Sequence, residues 1–424
     1  MLIETNPETL QKNLIGKILR EGVEIKSRFG EEVRIEPELV ICEKPTYMQS
    51  FDESFGWKAC EDTYLDRVEN LIETAAEKLR KTPYTRRVSL PVWRPEDHFC
   101  ETPPTVTEIS FLHYFNSLHA TAYLRSLDAL NYFSANFDFV FHVLEEVAKR
   151  AEIEVGSVAF LVAAPHIYKR DLDRVDRHNY KDVFGFHELG VHIVEDYEST
   201  AWHSALEVIY YNGFEKETEW GELFEGQKRS KFVHRLFVEV KNTRENKIHN
   251  KAPFTKKYAI DYAHNYVIHA AQLDKPVKEK ILREGEEYTY AERARYCERD
   301  EKKVDQLYEC IKKLKENPYR RDCYVGISRV WDLTSDDPPC LRGYQFLKTK
   351  KFMGIFYMRS NDIYGAMHAN MYAFSLLTDY VSQLINERDY KYYHFSVDAH
   401  IYEEFLDSVK EILEPETPSY ISKV

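Results

Sequence analysis

Apolar residues return at helical spacing in some stretches of this chain and gather into strand-length runs in others. In LQKNLIGKILREG, Leu10, Leu14, Ile18 and Leu19 share one face, which predicts an amphipathic helix stopped at Gly22. A second predicted helix, LDRVENLIETAAEKLRKT, ends before Pro83. A third, FDFVFHVLEEVAKRA, lies between the strand-like runs HATAYLRS and VGSVAFLVA, and RRVSLPVW reads as another strand. Past residue 198 the order returns. Helices are predicted in WHSALEVIYYNG, DQLYECIKKLKEN and MYAFSLLTDYVSQLI, and strands in RDCYVGISRVW, FMGIFYMRS and YYHFSVDAHIY. One more predicted helix, KKYAIDYAHNYVIHAA, has no counterpart in the first half.

The repetition reaches single polar residues. RSLDALNYFSAN at 125–136 returns as RSNDIYGAMHAN at 359–370, and APHIY at 164–168 returns as DAHIY at 398–402. Arg125 maps to Arg359, Asn136 to Asn370 and His166 to His400, always 234 residues apart. A period near half of 424 residues is too long for a solenoid unit, so each copy should be a domain, 1–198 and 199–424. No Gly/Ser/Pro linker marks the boundary, which predicts tight packing between the halves. The copies differ after a Pro-Pro pair, with Thr105 in one and Cys340 in the other.

Composition narrows the partners. A hydrophobic content of 43% gives each half enough apolar residues for its own core. A formal charge of −13 argues against a nucleic-acid groove, yet leaves room for a locally basic pocket that takes a small anion. No apolar run reaches membrane-spanning length, and the first residues lack a basic-then-apolar order. The seven cysteines show neither CxxC nor zinc spacing, so no metal site is expected. Together these predict a cytoplasmic protein with reduced thiols and no membrane partner.

Candidate chemistry follows from the repeated polar set. Each copy offers an Arg-Arg pair (Arg86–Arg87; Arg320–Arg321) and an Arg-Ser-x-Asp segment (Arg125, Ser126, Asp128; Arg359, Ser360, Asp362). An Asn follows (Asn136; Asn370), then His-x-Tyr (His166, Tyr168; His400, Tyr402). A forked guanidinium beside a hydroxyl suits a phosphate. Taken singly, each has a plainer reading: a solvated strand end, a helix Asn serving backbone, a core His. Recurrence at fixed spacing between diverged halves points instead to a site in each.

PPCLRGYQF, then MRSNDIYGAMHANMYAFSLL, then DAHIY resembles the thymidylate synthase superfamily, which includes the pyrimidine-nucleotide hydroxymethylases. Cys340 precedes Arg359 by 19 residues, Arg359 precedes Asn370 by 11, and Asn370 precedes His400 by 30. YTYAERAR at 288–295 and the pair Asp305–Gln306 resemble upstream segments, and the first half matches through PYTRR, WRP, PPT, RSLD, Asn136 and HIY. The resemblance implies an α+β fold with a mixed sheet that packs on a second copy. A tandem chain would form that pair internally, as a monomer or a dimer of pseudo-dimers.

It also implies a chemistry. Cys340 would add to C6 of a pyrimidine nucleoside monophosphate, with Asn370 and Asp362 completing the catalytic set. Arg359 and Ser360 would hold phosphate, Arg86 and Arg87 would reach it from the other half, and His400 and Tyr402 would meet the sugar hydroxyl. Asn370 favours uracil, because its carbonyl can accept from N3–H while its amide donates to O4. Methylene-tetrahydrofolate or methylene-tetrahydromethanopterin would supply the one-carbon unit. A degenerate second site would use Arg125, Ser126, Asp128, Asn136, His166, Tyr168 and Arg28, with Arg320 and Arg321 reaching across. Two alternatives stay open: a 5-hydroxymethylase using the same residues, and a nucleotide-binding scaffold without catalysis. The chain departs from the family pattern at Leu341, at Met358 and at Glu219 opposite Arg28, and only Asp261 offers itself for the family's helix glutamate.

Overall fold

The computed structural model describes residues 1–49, 62–218, 229–243, 248–269 and 288–414. The predicted helices form, and their ends have local causes. The first, Pro7–Glu21, begins where the Asn6 side chain accepts the Thr9 N–H and Pro7 presets φ. It stops at Gly22, where a Cβ would lie 2.4 Å from the Ile18 carbonyl oxygen and 2.4 Å from Val33. Glu198–Asn212 stops the same way, at Gly213, where a Cβ would lie 2.4 Å from the Ile209 oxygen. Close approach, rather than a left-handed φ, calls for glycine at both ends.

The strands of each half assemble in one order. In the first sheet it is Leu2–Glu4, Glu38–Cys42, Glu154–Val162, Ser117–Leu124, Val106–Tyr114, Ser89–Pro91. In the second it is Gly190–Glu195, Arg229–Val240, Tyr390–Tyr402, Phe352–Asp362, Leu341–Lys348, Tyr324–Gly326. Neighbours run parallel, antiparallel, parallel, antiparallel, antiparallel along both. Both sheets also slip register at the matching place, between Val106 and Glu108 and between Leu341 and Gly343. The duplication is therefore a duplication of topology. Gly185–His187 and Gly190–Glu195 already belong to the second sheet, upstream of the boundary expected at 198.

Each sheet covers one face with its own helices and lays the other on its twin. Leu112, Tyr123 and Leu161 of the first half share a buried cluster with Met353, Ile355, Tyr357 and Phe395 of the second. Buried polar contacts pin the two sheets together. Arg342 pairs with Glu108 at 2.7 Å, and Ser328 donates to the same carboxylate at 2.6 Å. Arg235, at a φ of +53°, donates to Thr121 Oγ1 at 2.9 Å, Ser157 Oγ at 2.9 Å and the Ala120 carbonyl at 3.0 Å. The fold is α+β, with two sheet-bearing halves forming an internal pseudo-dimer.

The additional helix of the second half runs as Lys256–Tyr262, then widens to a π-helical turn over Ala263–Ile268; its last expected residues lie outside the described ones. Among the described residues no helix is long and apolar enough to cross a membrane, and no cluster of three metal-ligating side chains occurs. One sequence expectation needs correction: Cys100 is disulfide-bonded, so the cysteines are not all reduced thiols. Spacing along the chain could not reveal a pair that only tertiary approach creates.

Candidate active site

Cys340 sits in the turn that feeds the Leu341–Lys348 strand, directly after Pro338 and Pro339. Of the described cysteines with free thiols it alone escapes full burial. Burial pushes the Cys42 thiol up to about 12, which makes that residue inert at neutral pH. Arg359 shapes the turn. Its Nε donates to the Pro339 carbonyl at 3.0 Å, Nη2 to Pro338 at 2.6 Å and Nη1 to the Arg86 carbonyl at 2.8 Å. Its backbone N–H meets the Cys340 carbonyl at 2.9 Å. Arg359, expected on a phosphate, thus spends three nitrogens bracing the thiol loop and tying it to the other half.

Arg86 crosses the interface as the tandem arrangement predicts. Its Nη2 donates to the Tyr402 hydroxyl at 3.1 Å, its Nη1 lies 3.8 Å from Asp398, and Nη1 has no hydrogen-bond partner although buried. Arg87 is half-buried, with its backbone N–H held by Thr85 Oγ1 at 3.2 Å. The parallel pairing of Phe352–Asp362 with Tyr390–Tyr402 sets Ser360 opposite Asp398 and Asp362 opposite His400. Asp362 caps the turn that follows it, accepting the Gly365 N–H at 3.0 Å.

His400 is oriented by Asp398, with Nδ1 2.7 Å from Oδ1. Burial, helped by the Arg86 charge, lowers the His400 pKa to about 4, so the ring is neutral at physiological pH. A carboxylate can only accept, so the proton sits on Nδ1 and Nε2 is left as an acceptor. That Nε2 is buried and unpartnered. Burial alone would raise the Asp398 carboxyl, but Lys216, His400 and Arg86 outweigh it and hold it far below the usual carboxylate range.

Asn370 is buried on the His368–Leu384 helix. Its Oδ1 accepts from the Tyr262 hydroxyl at 2.8 Å, and its Nδ2 donates to Asn361 Oδ1 at 3.3 Å. Asn361 in turn lies 2.7 Å from His394, a ring that burial keeps neutral, with its pKa lowered to about 3. The amide is therefore held from both ends.

The first half repeats the frame with other ends. Arg125 donates to the carbonyls of Pro103, Pro104 and Arg321, and its N–H meets the Thr105 carbonyl at 3.0 Å. Arg321 reaches Tyr168 at 2.9 Å and also bonds His166 Nε2. Arg320 forks onto Asp322 at 2.9 and 2.6 Å, while exposed Arg28 donates to the Glu101 carbonyl. Asp128 caps its turn at Leu130 and Asn131 as Asp362 caps Gly365. Ser126 and Asn136 line the same hollow. The two constellations stand in pseudo-symmetric places. Glu219 lies outside the described residues, and Asp261 spends its carboxylate on Lys257 at 2.5 Å, an exposed helix pair.

The sequence profile described as thymidylate synthase matches residues 12–217 and again 250–422. The chain belongs to the thymidylate synthase family. A Methanosarcina mazei protein provisionally named a thymidylate synthase is 29% identical over 220 residues, covering 51% of this chain and 91% of that one. The thymidylate synthase of Mycoplasma pneumoniae is 34% identical over 117 residues, 26% of this chain and 40% of that protein. A solved structure, the thermostable thymidylate synthase A of Bacillus subtilis, aligns at 20% identity with a TM-score of 0.43, over 52% of this chain and 85% of that one.

Thymidylate synthase motifs pointed to Cys340, Arg359, Asn370 and His400; Asp398 lay within DAHIY without a role, and Tyr262, Asn361 and His394 were missed. Asp398 had a signal, since a carboxylate two residues before a strand His shares its face. Tyr258, Tyr262 and Tyr266 recur every four residues on one helix face, which also could have been read.

Proposed function

We propose that the chain transfers a one-carbon unit to C5 of a uracil nucleoside monophosphate at the Cys340 centre. One observation carries the reading. The part-exposed Cys340 thiol shares a site with two buried groups of opposite use that lack a hydrogen-bond partner, the Arg86 Nη1 donor and the His400 Nε2 acceptor. Arg86 would meet the phosphate. His400 would accept from the sugar hydroxyl. Asn370, fixed by Tyr262 and Asn361, would read the base with its remaining lone pair and with the N–H that otherwise faces only the weak acceptor Met358 Sδ at 3.9 Å.

Addition of the thiolate forms the S–C6 bond and moves the C5–C6 electron pair into an enolate, which makes C5 nucleophilic. Loss of the C5 proton and expulsion of the thiolate restore the ring after C5 has gained its substituent. Tyr258, Tyr262 and Tyr266 would hold the flat ring of a folate or pterin donor, their centroids stepping by 6.2 and 5.2 Å at interplanar angles of 11° and 19°. That co-substrate would supply the one-carbon unit at the methylene level, its nitrogen leaving; a hydride from the same donor would then give a methyl product, and water a hydroxymethyl one.

The test is tritium release from 5-tritiated dUMP, dCMP, UMP and CMP. Wild type should release tritium from a uracil nucleotide, and Cys340→Ala should release none while keeping its circular dichroism. Release by Cys340→Ala at the wild-type rate sinks the covalent reading. A hydroxymethylated product would place the same centre among the hydroxymethylases, and no release from any substrate would leave only nucleotide binding.

A further inference from the structure

The pseudo-symmetric place in the first half is a cavity of about 290 Å³, with Thr105 in its wall where the second half has Cys340. A threonine hydroxyl without an activating base cannot replace a thiolate, so this pocket does not repeat the addition chemistry. It has nevertheless kept a ligand's surroundings. Five arginines and two aspartates line it, a basic hollow in a chain of net charge −13. Arg125 and Arg28 give their donors to backbone carbonyls, which carry no net charge against them.

The deciding side chain is Asn136. It is 2% exposed and faces the cavity; Nδ2 donates to the Tyr132 carbonyl at 2.7 Å, and Oδ1 has no partner. A buried acceptor left unpaired costs free energy that an N–H from a ligand would recover. His166 and Tyr168 differ from their counterparts here. Arg321 occupies both, so the acceptor that His400 keeps open is closed at His166.

We propose that this pocket is a non-catalytic site for a nucleoside monophosphate whose base presents an N–H to Asn136, held without regard to the sugar hydroxyl. It adds a second ligand to each chain and does not depend on turnover at Cys340. Calorimetric titration of the full chain with UMP and with dUMP should give two nucleotides per chain. Arg28→Ala with Asn136→Leu should leave one, remove the same site for both nucleotides, and leave tritium release at the wild-type rate. Asn136→Ser, a smaller change, should weaken that site at least tenfold if the double variant proves poorly folded. One nucleotide per chain in wild type, unaffected by these substitutions while tritium release persists, overturns the proposal alone. Binding of no nucleotide overturns it together with the Cys340 reading.

Discussion

Asn370 can present its amide to a base in only one sense. Tyr262 donates to Oδ1, and Asn361 Oδ1 accepts from Nδ2, so flipping the amide would set acceptor against acceptor at Asn361. This selects a ring that donates at N3 and accepts at O4. Asn370→Asp should therefore weaken uracil nucleotides relative to cytosine ones by on the order of 1–3 kcal/mol, since one buried contact loses its complement. Competitive binding of dUMP against dCMP measures it, and an unchanged ratio shows that Asn370 does not read the base. Tyr262→Phe frees one end of the amide and should erode the same preference by about tenfold, with little effect on affinity for inorganic phosphate. Cysteine selection follows the same residue-level logic: Cys310 and Cys42 are buried with raised pKa values, whereas Cys340 stands at a solvent-reachable turn.

Between elements, the site exists because loops of one half close on strands of the other. Arg359 fastens the Pro338–Cys340 turn to the carbonyl of Arg86, and Arg86 leans on Tyr402 and Asp398. Arg86→Ala should weaken nucleoside monophosphate binding at Cys340 far more than nucleoside binding, by about 1.5–3 kcal/mol for a charge-assisted bond. Arg321→Ala, which acts on the other pocket, should leave tritium release intact; loss of release with it would show that the halves do not exchange arms in this way. Much of this was legible in the chain. The repeated Arg-Arg, Arg-Ser-x-Asp and His-x-Tyr gave the pairing of halves, and helical spacing gave Pro7–Glu21, Tyr64–Lys81 and Phe133–Ala151. The Val106–Tyr114 and Arg229–Val240 strands were not read. Both faces of these strands are buried, one on helices and one on the twin sheet, so the alternation that marks a half-exposed strand is missing. The carbonyl partners of Arg359 were not legible either: a motif names a guanidinium but not which carbonyls will claim it.

At the scale of the molecule, the two halves bury many polar groups along one shared interface, and this couples the fold to pH. Burial lowers His98, His119, His166 and His394 to about 3 and His400 to about 4. In the unfolded chain these rings titrate near 6.5, so below that pH the unfolded state takes up protons that the folded state refuses. Their stabilising effect is complete above about 6.5 and is lost as pH falls toward 4, by up to about 1.4 kcal/mol per pH unit for each ring. Glu198 works in the opposite direction. Burial raises it to about 7 despite the hydroxyl of Ser375, so it stays protonated in the folded chain and costs stability as pH rises from about 4.5 to 7. Five histidines outweigh one glutamate, and the urea midpoint should drop steeply between pH 6.5 and 4.5. Because the histidines lie on both sides of the interface, both halves should lose structure in one transition. Glu198→Gln removes the opposing slope, so this variant should gain on wild type as pH rises, by on the order of 3 kcal/mol at pH 8, and should match it at pH 4.5. Denaturation curves of both chains at pH 4.5, 6 and 8, read by fluorescence, test this; a constant difference across that range shows that Glu198 is ionised in the fold.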